Sequence, residues 1–190
     1  GGFTVAKAER NGIVSSESVE RALVSDTGLV CVMSVNNETG CMQPVGQIAA
    51  LCKRRGILFF SDCVQAACTL DLKAVTAACD AISLSGHKIY GPKGTGVLVV
   101  KNGVKIKPLI VGGEQERELR GGTLNVAGAV GFASALKTVQ REREAFVAHA
   151  SKLRDMFEKS VFAALGDGVV ADGENRAPNI SHLTFEKGGE

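Results

Sequence analysis

The sequence lacks several features that would place it quickly. Its 22 lysines and arginines against 20 aspartates and glutamates leave a formal net charge of +2, spread along the whole chain. No concentrated basic field of the kind that dominates nucleic-acid affinity is present, so nucleic acid is not expected as a direct partner. The longest apolar runs, such as Leu29 to Val35 broken only by Ser34, fall far short of the roughly 18 residues that span a bilayer. No two of the six cysteines, Cys31, Cys41, Cys52, Cys63, Cys68 and Cys79, form a Cys-x-x-Cys pair, which removes zinc and thioredoxin-like readings on spacing. The start carries neither a basic segment followed by an apolar stretch nor an Arg-rich transit pattern. Buried, reduced thiols in a cytoplasmic setting, or in an organelle matrix, are therefore expected rather than a disulfide framework. The chain opens on Gly1 instead of methionine and closes at Gly188-Gly189-Glu190 directly after a strand-like run; it reads as an excerpt of a longer protein.

What is present is ordinary globular composition, 45% hydrophobic and 22% charged with 23 glycines, enough for a substantial core. Ser15 or Ser16 can cap a short helix over Glu17 to Val24. Leu29 to Val35 is a continuous apolar run of strand length, which predicts burial on both faces. Pro44 suits the start of a helix carrying Ile48, Leu51, Cys52 and Arg55, and Gly56 suits its end. Ile57 to Phe60, Ala81 to Leu84 and Thr95 to Val100 are the next strands, with an alanine-rich helical stretch before the second of these. This alternation predicts an α/β architecture, a mostly parallel sheet flanked by helices on both sides. From Asn125 to about Leu165 the pattern is helical, with Phe146, Ala150, Leu153, Phe157 and Val161 on one stripe. Its mixed charges over Gln140 to Lys159 suit a solvated face better than a partner surface. Pro178 to Phe185 is a last strand candidate.

Ligands of open α/β sheets bind beyond the carboxyl ends of the strands. Asn37 follows the first strand, Asp62 and Gln65 the second, and Ser85, His87 and Lys88 the third. An amine, a carboxylate, a hydroxyl, an imidazole and amides around one crevice suit an amine nucleophile in a charge-balanced setting and a carboxylate that holds a protonated ring nitrogen. Each residue also has a plain reading: Asp62 as a helix cap, Asn37 as a turn former, His87 as a structural histidine, Lys88 as a solvated loop lysine. The conjunction favours the site. Gly91-Pro92-Lys93-Gly94-Thr95-Gly96 is no phosphate loop, because Pro92 stands where lysine is needed. The loop Gly112 to Thr123 is long and charged for a mere connection, its alternative being a flexible surface loop.

The string Ser85-Gly86-His87-Lys88-Ile89-Tyr90-Gly91-Pro92-Lys93-Gly94 resembles the pyridoxal-phosphate lysine motif of NifS/IscS-like cysteine desulfurases. Asn36-Asn37-Glu38-Thr39-Gly40, Asp62 with Gln65, Gly112-Gly113-x-Gln115-Glu116 and Arg120-x-Gly122-Thr123 join it in the family's order. The resemblance covers essentially the whole chain and corresponds to the family's central region. It implies the central part of the large cofactor-binding domain of a fold-type I pyridoxal-phosphate enzyme over residues 1–125, and long helices with the start of a smaller C-terminal domain over 126–190. It implies a homodimer, pyridoxal 5'-phosphate as cofactor, L-cysteine as substrate, and an iron-sulfur scaffold or other acceptor for the sulfur. By the same resemblance Lys88 attaches the cofactor and moves protons at the substrate carbons. Asp62 pairs with the pyridinium nitrogen, Gln65 with the phenolic oxygen, and Ser85 and His87 with the phosphate. Asn37 lies near the ring edge, and Thr123 reaches the phosphate of the partner subunit.

The family's persulfide-forming cysteine, its ring-stacking histidine and its substrate-clamping arginine would lie outside residues 1–190. Cys63, beside Asp62, is read as packing. The 190 residues alone are therefore expected to be inactive. A selenocysteine lyase, another class-V aminotransferase, and a non-catalytic paralogue that dimerises or binds a scaffold are the alternatives.

Overall fold

The computed structural model describes residues 2–186. Helix α1 spans Ser16–Ala22, capped by Ser15, whose side chain accepts from the Ser18 N–H. Strand β1 (Leu29–Met33) leads through α2 (Val45–Arg55), which ends at Gly56 with φ 67°, into β2 (Leu58–Asp62). Helix α3 (Leu72–Ala78) then precedes β3 (Ala81–Ser85). A 3-10 segment, Gly86–Ile89, connects to β4 (Gly96–Val100). The sheet runs β1-β2-β3-β4. Its first three strands are parallel and β4 is antiparallel to β3, so the fold is the expected α/β type with a mostly parallel sheet.

Registration fixes which side chains share a face. Val30 pairs with Phe59, Ser61 with Ile82, and Leu84 with Val97, putting these residues on one face, where Val30, Phe59, Ile82 and Leu84 share one core with Ile48 and Leu51 of α2, Leu72 and Val75 of α3 and Phe132. Burying Phe59, Ile48, Leu51 and Ile82, each 2% exposed or less, contributes roughly 1.5–3 kcal/mol apiece. The expectation of burial on both faces of β1 holds for one face only: Leu29 is 54% and Met33 42% exposed. The helices that share this core serve the same face, and an apolar run records hydrophobicity without saying what covers it.

Two helices, α4 (Val126–Arg141) and α5 (Arg143–Leu165), occupy the stretch read as long-period helical. The expected apolar stripe of α5 is not its inward side, since Leu153 is 47% and Phe157 52% exposed. The inward side carries Arg154 and Glu158, which find their partners in the segment after the helix. Strand β5 (Val169–Ala171), which the sequence did not suggest, pairs antiparallel with β6 (Leu183–Phe185). Only the end of the Pro178–Phe185 run is therefore strand. Among the described residues no helix is long and apolar enough to cross a membrane. The six cysteines are free; four are buried, Cys68 is half-buried and Cys31 is exposed.

Candidate active site

The parallel strands end at one edge, and the predicted residues of that edge gather there. Asp62 closes β2, paired between Met33 of β1 and Ser83 of β3. Its Oδ1 accepts the Val64 N–H at 2.9 Å, a local turn. Helix α3 is capped by Asp71 instead, which accepts from Lys73 N at 2.9 Å, so the cap reading of Asp62 does not apply. Gln65 is half-buried in the following turn segment, and the Asp62 side is exposed. Ser85 closes β3, and its Oγ lies 3.0 Å from His87 Nδ1, which joins hydroxyl and imidazole in one unit. Lys88 is next, exposed.

Close packing fixes this last segment. A Cβ on Gly86 would collide with the Thr95 hydroxyl and come within 2.9 Å of Pro92 O and 3.1 Å of Phe132, so only glycine lets α4 and the start of β4 approach. Tyr90, 86% exposed, ends the turn at φ 64°. The glycines of Gly91–Gly96 serve the turn into β4, as their sequence suggested.

The Asn36–Gly40 loop is built by Asn36. Its Oδ1 accepts the N–H groups of Glu38 and Thr39, both at 2.9 Å, and Gly40 closes the turn at φ 77°. Asn37 is left exposed with no side-chain hydrogen bond among the described residues. Behind it the Ala177 N–H donates to Gly40 O at 2.7 Å, and the Met42 N–H to Asn175 O at 2.9 Å. Helix α5 holds that brace: Arg176 is bidentate to Glu158 at 2.6 and 2.8 Å, and Arg154 donates to Ala177 O at 3.1 Å. The hydrogen bonds from Arg176 hold the Glu158 carboxyl below its ordinary value against the opposing effect of burial, and Glu158 raises Arg176 in return.

Thr123 is not brought into the group. It is exposed, makes no side-chain hydrogen bond among the described residues, and follows a loop in which Glu116, Arg117 and Glu118 sit at φ 52°, 58° and 65°. Left-handed backbone costs such residues about 1–2 kcal/mol each. The loop is tied internally, Gln115 Oε1 accepting the Gly122 N–H at 3.1 Å, so it is more than a loose connection. Hollows of about 640 and 590 Å³, beside Phe162 and Val169 and between Tyr90 and Ala135, contain none of the predicted site residues. The strand-end site is an open edge.

The model of the family described as aminotransferase class-V matches residues 2–188. The chain belongs to the class-V aminotransferase family. It is 38% identical over 188 residues to a cysteine desulfurase of Trichormus azollae, covering 97% of this chain and 47% of that protein. It is 39% identical over 184 residues to the putative cysteine desulfurase IscS 1 of Bacillus subtilis, covering 96% and 48%. A solved NifS-like protein superposes with a TM-score of 0.87 at 35% identity, over 94% of this chain and 49% of that one. The chain thus spans about half the length of the curated relatives it matches.

One part of this class-V aminotransferase edge escaped the sequence reading. Beneath Asp62, Ser34 Oγ lies 2.8 Å from Ser61 Oγ and 3.1 Å from Cys63 Sγ, and the Ser61 hydroxyl donates to Val32 O at 2.8 Å. All three residues are fully buried. Cys63 is therefore bonded as well as packed. The available signal was polarity at buried positions: Ser34 interrupts an apolar run, and Ser61 falls on the inward alternation of β2.

Proposed function

We propose that the protein is a pyridoxal-phosphate-dependent cysteine desulfurase and that this chain supplies the floor of its cofactor site. The observation that carries the reading is the gathering of Asp62, the Ser85–His87 pair and Lys88 at the ends of two neighbouring parallel strands. The donor set fits the cofactor: a carboxylate suits a pyridinium nitrogen, a hydroxyl with an imidazole suits a phosphate, and an amine suits an aldehyde carbon. When bound, pyridoxal phosphate supplies an electron sink for bonds at the substrate's α-carbon.

Lys88 attaches the cofactor and then holds and returns protons at the substrate carbons. Asp62 keeps the ring nitrogen protonated. Gln65 bonds the phenolic oxygen, Ser85 and His87 hold the phosphate, and Asn37 orients the ring edge and substrate carboxylate. Thr123 serves the phosphate of the partner subunit in a homodimer; the exposed Leu109, Val111, Val126 and Val130 supply apolar surface for such a contact. In the overall reaction L-cysteine gives its sulfur to an acceptor thiol, leaving L-alanine and a persulfide that passes to an iron-sulfur scaffold or another acceptor. The setting is cytoplasmic or an organelle matrix, where free thiols persist. Residues 1–125 form the central part of the large cofactor domain, and 126–190 carry long helices and the start of a smaller one. The thiol that takes the sulfur lies outside this chain, whose 190 residues alone are inactive.

The test is the near-visible spectrum of the full-length protein with pyridoxal phosphate, for the unaltered chain and for Lys88→Ala, followed by borohydride reduction and peptide mapping. A yellow band absent from the variant, with the reduced pyridoxyl group on the Lys88 peptide, is expected. No band in the folded, unaltered protein would overturn the reading.

A further inference from the structure

The group beneath Asp62 has a direction that its proton count determines. Ser61 commits its single hydroxyl proton to Val32 O at 2.8 Å. The 2.8 Å contact between Ser61 and Ser34 must then use the proton of Ser34. With that proton spent, the 3.1 Å contact of Ser34 with Cys63 uses the thiol proton, for which Ser61 O at 3.6 Å is a second, more distant acceptor. The result is a one-way chain from the Cys63 S–H to Ser34, to Ser61, and to the carbonyl of Val32, in which every proton has an acceptor. A thiolate would reverse it and strip the Val32 carbonyl of its side-chain donor. Burial, the largest influence on Cys63, pushes its thiol up and keeps the proton on sulfur.

Ser61 and Cys63 are the two chain neighbours of Asp62. Strand alternation points Ser61 into the core and Asp62 away from it, consistent with a fully buried Ser61 and an exposed Asp62. The backbone is tied at the same place. The Ser34 N–H donates to Asp62 O at 2.7 Å, and the Cys63 N–H to Ser83 O at 3.0 Å. Asp62 is thus held from β1, from β3 and by both neighbours, while its carboxylate faces the open edge. All three buried side chains are neutral, so none competes with the carboxylate for a cation.

We propose that Ser34, Ser61 and Cys63 are positioning residues for Asp62, fixing the end of β2 so that its carboxylate meets the ring nitrogen of the cofactor in a single geometry. The proposal rests on the pyridoxal-phosphate reading. It differs from a packing role in one respect that can be measured: packing wants an apolar group at 63, and the chain wants a donor.

The experiment compares Cys63→Ser, which keeps the donor, with Cys63→Ala, which removes it, in full-length protein loaded with pyridoxal phosphate labelled with ¹⁵N in the ring. The readouts are the ¹⁵N shift, which reports protonation of the ring nitrogen, and the cofactor dissociation constant. Serine is expected to stay within about twofold of the unaltered protein with an unchanged shift. Alanine is expected to bind about fivefold more weakly, the worth of roughly one hydrogen bond, with its signal moved toward the unprotonated ring. Ser34→Ala, which breaks two links, exceeds it; should that variant not fold, the Cys63 pair decides. Equal behaviour of serine and alanine, or tight binding and a protonated ring in every variant, overturns the proposal alone. No cofactor bound by the unaltered protein overturns the reading and the proposal with it.

Discussion

Two buried polar clusters brace the site edge, and they are made in opposite ways. Under Asp62, two hydroxyls and a thiol form a chain with no charge in it. Behind Asn37, Glu158, 6% exposed, meets Arg176 and also accepts from Ser181 at 2.7 Å. Neutral groups cost less to bury and each contributes little on its own. An ion pair costs desolvation on both sides and becomes indispensable once half of it is gone. The difference follows from what each must hold. In its proposed role Asp62 needs a fixed floor free of competing charge, whereas the Gly40–Met42 loop is tied to a separate element, α5, across a gap that long side chains can bridge.

The largest effect should come from breaking the charged cluster. Arg176→Met leaves Glu158 buried without its cation and should lower the unfolding free energy by about 3 kcal/mol, read from urea denaturation. Replacing both, as Glu158→Leu with Arg176→Met, should lose less. Acid separates the variants further. The Glu158 carboxyl sits below its ordinary value because Arg176 bonds it, so its contribution is whole above the unfolded value near ~4.3 and is lost as pH falls through the folded one. The unaltered protein should lose stability below that point more steeply than the double variant. Asp172, also lowered, chiefly by Thr184 and His182 and least by Arg176, keeps its main partners in both proteins, so the difference in slope reports mostly Glu158. Parallel acid slopes would show that the ion pair is not what holds the brace.

The clusters also differ in how far the sequence disclosed them. Periodicity located β1 to β4, α1 and α2 within a few residues, because alternating apolar runs and caps such as Ser15 and Gly56 are local. The placement of Asp62, Ser85, His87 and Lys88 at one edge was legible because the ends of parallel strands share an edge by topology. The Glu158–Arg176 pair, 18 residues apart, was not. On a helical wheel Glu158 looks like one more solvated charge, and only the return of the chain through Arg176 makes that side the inward one. Strand β5 was missed for a similar reason: three residues hold too little pattern, and their strand character comes from β6. The Ser34–Ser61–Cys63 chain left a trace, polar residues at inward positions, whose meaning depends on Ser34 and Ser61 meeting across neighbouring strands.

Alkali should probe the neutral side as acid probes the charged one. Cys79 is pushed up from 9.0 to about 12, first by burial and next by Cys63. A raised thiol contributes stability that is whole below the unfolded value and lost as pH rises toward the folded one. Between pH 9 and about 12 the unaltered protein should therefore lose stability faster than Cys79→Ala, even though the variant starts about 1 kcal/mol lower at neutral pH from lost packing. Melting curves across that range give the slope. Identical slopes would mean that Cys79 ionises as freely in the folded chain as in the unfolded one.

The smallest effect tests whether burial, rather than the pairing of arginine with glutamate, separates the two kinds of brace. Arg55 at the end of α2 pairs with Glu20 of α1 through the same groups that join Arg176 to Glu158. The side chains of the first pair are 55% and 46% exposed, those of the second 14% and 8%. Water screens the outer pair and each partner is solvated when alone, so Arg55→Ala should cost no more than about 0.5 kcal/mol. That difference should shrink toward zero in about 1 M salt, where the screening length is only about 3 Å. Arg176→Met should keep most of its cost in the same salt, because no ion reaches the buried carboxylate. Equal losses from the two replacements would show that the contacts themselves, and not their removal from water, set the strength of the brace behind Asn37.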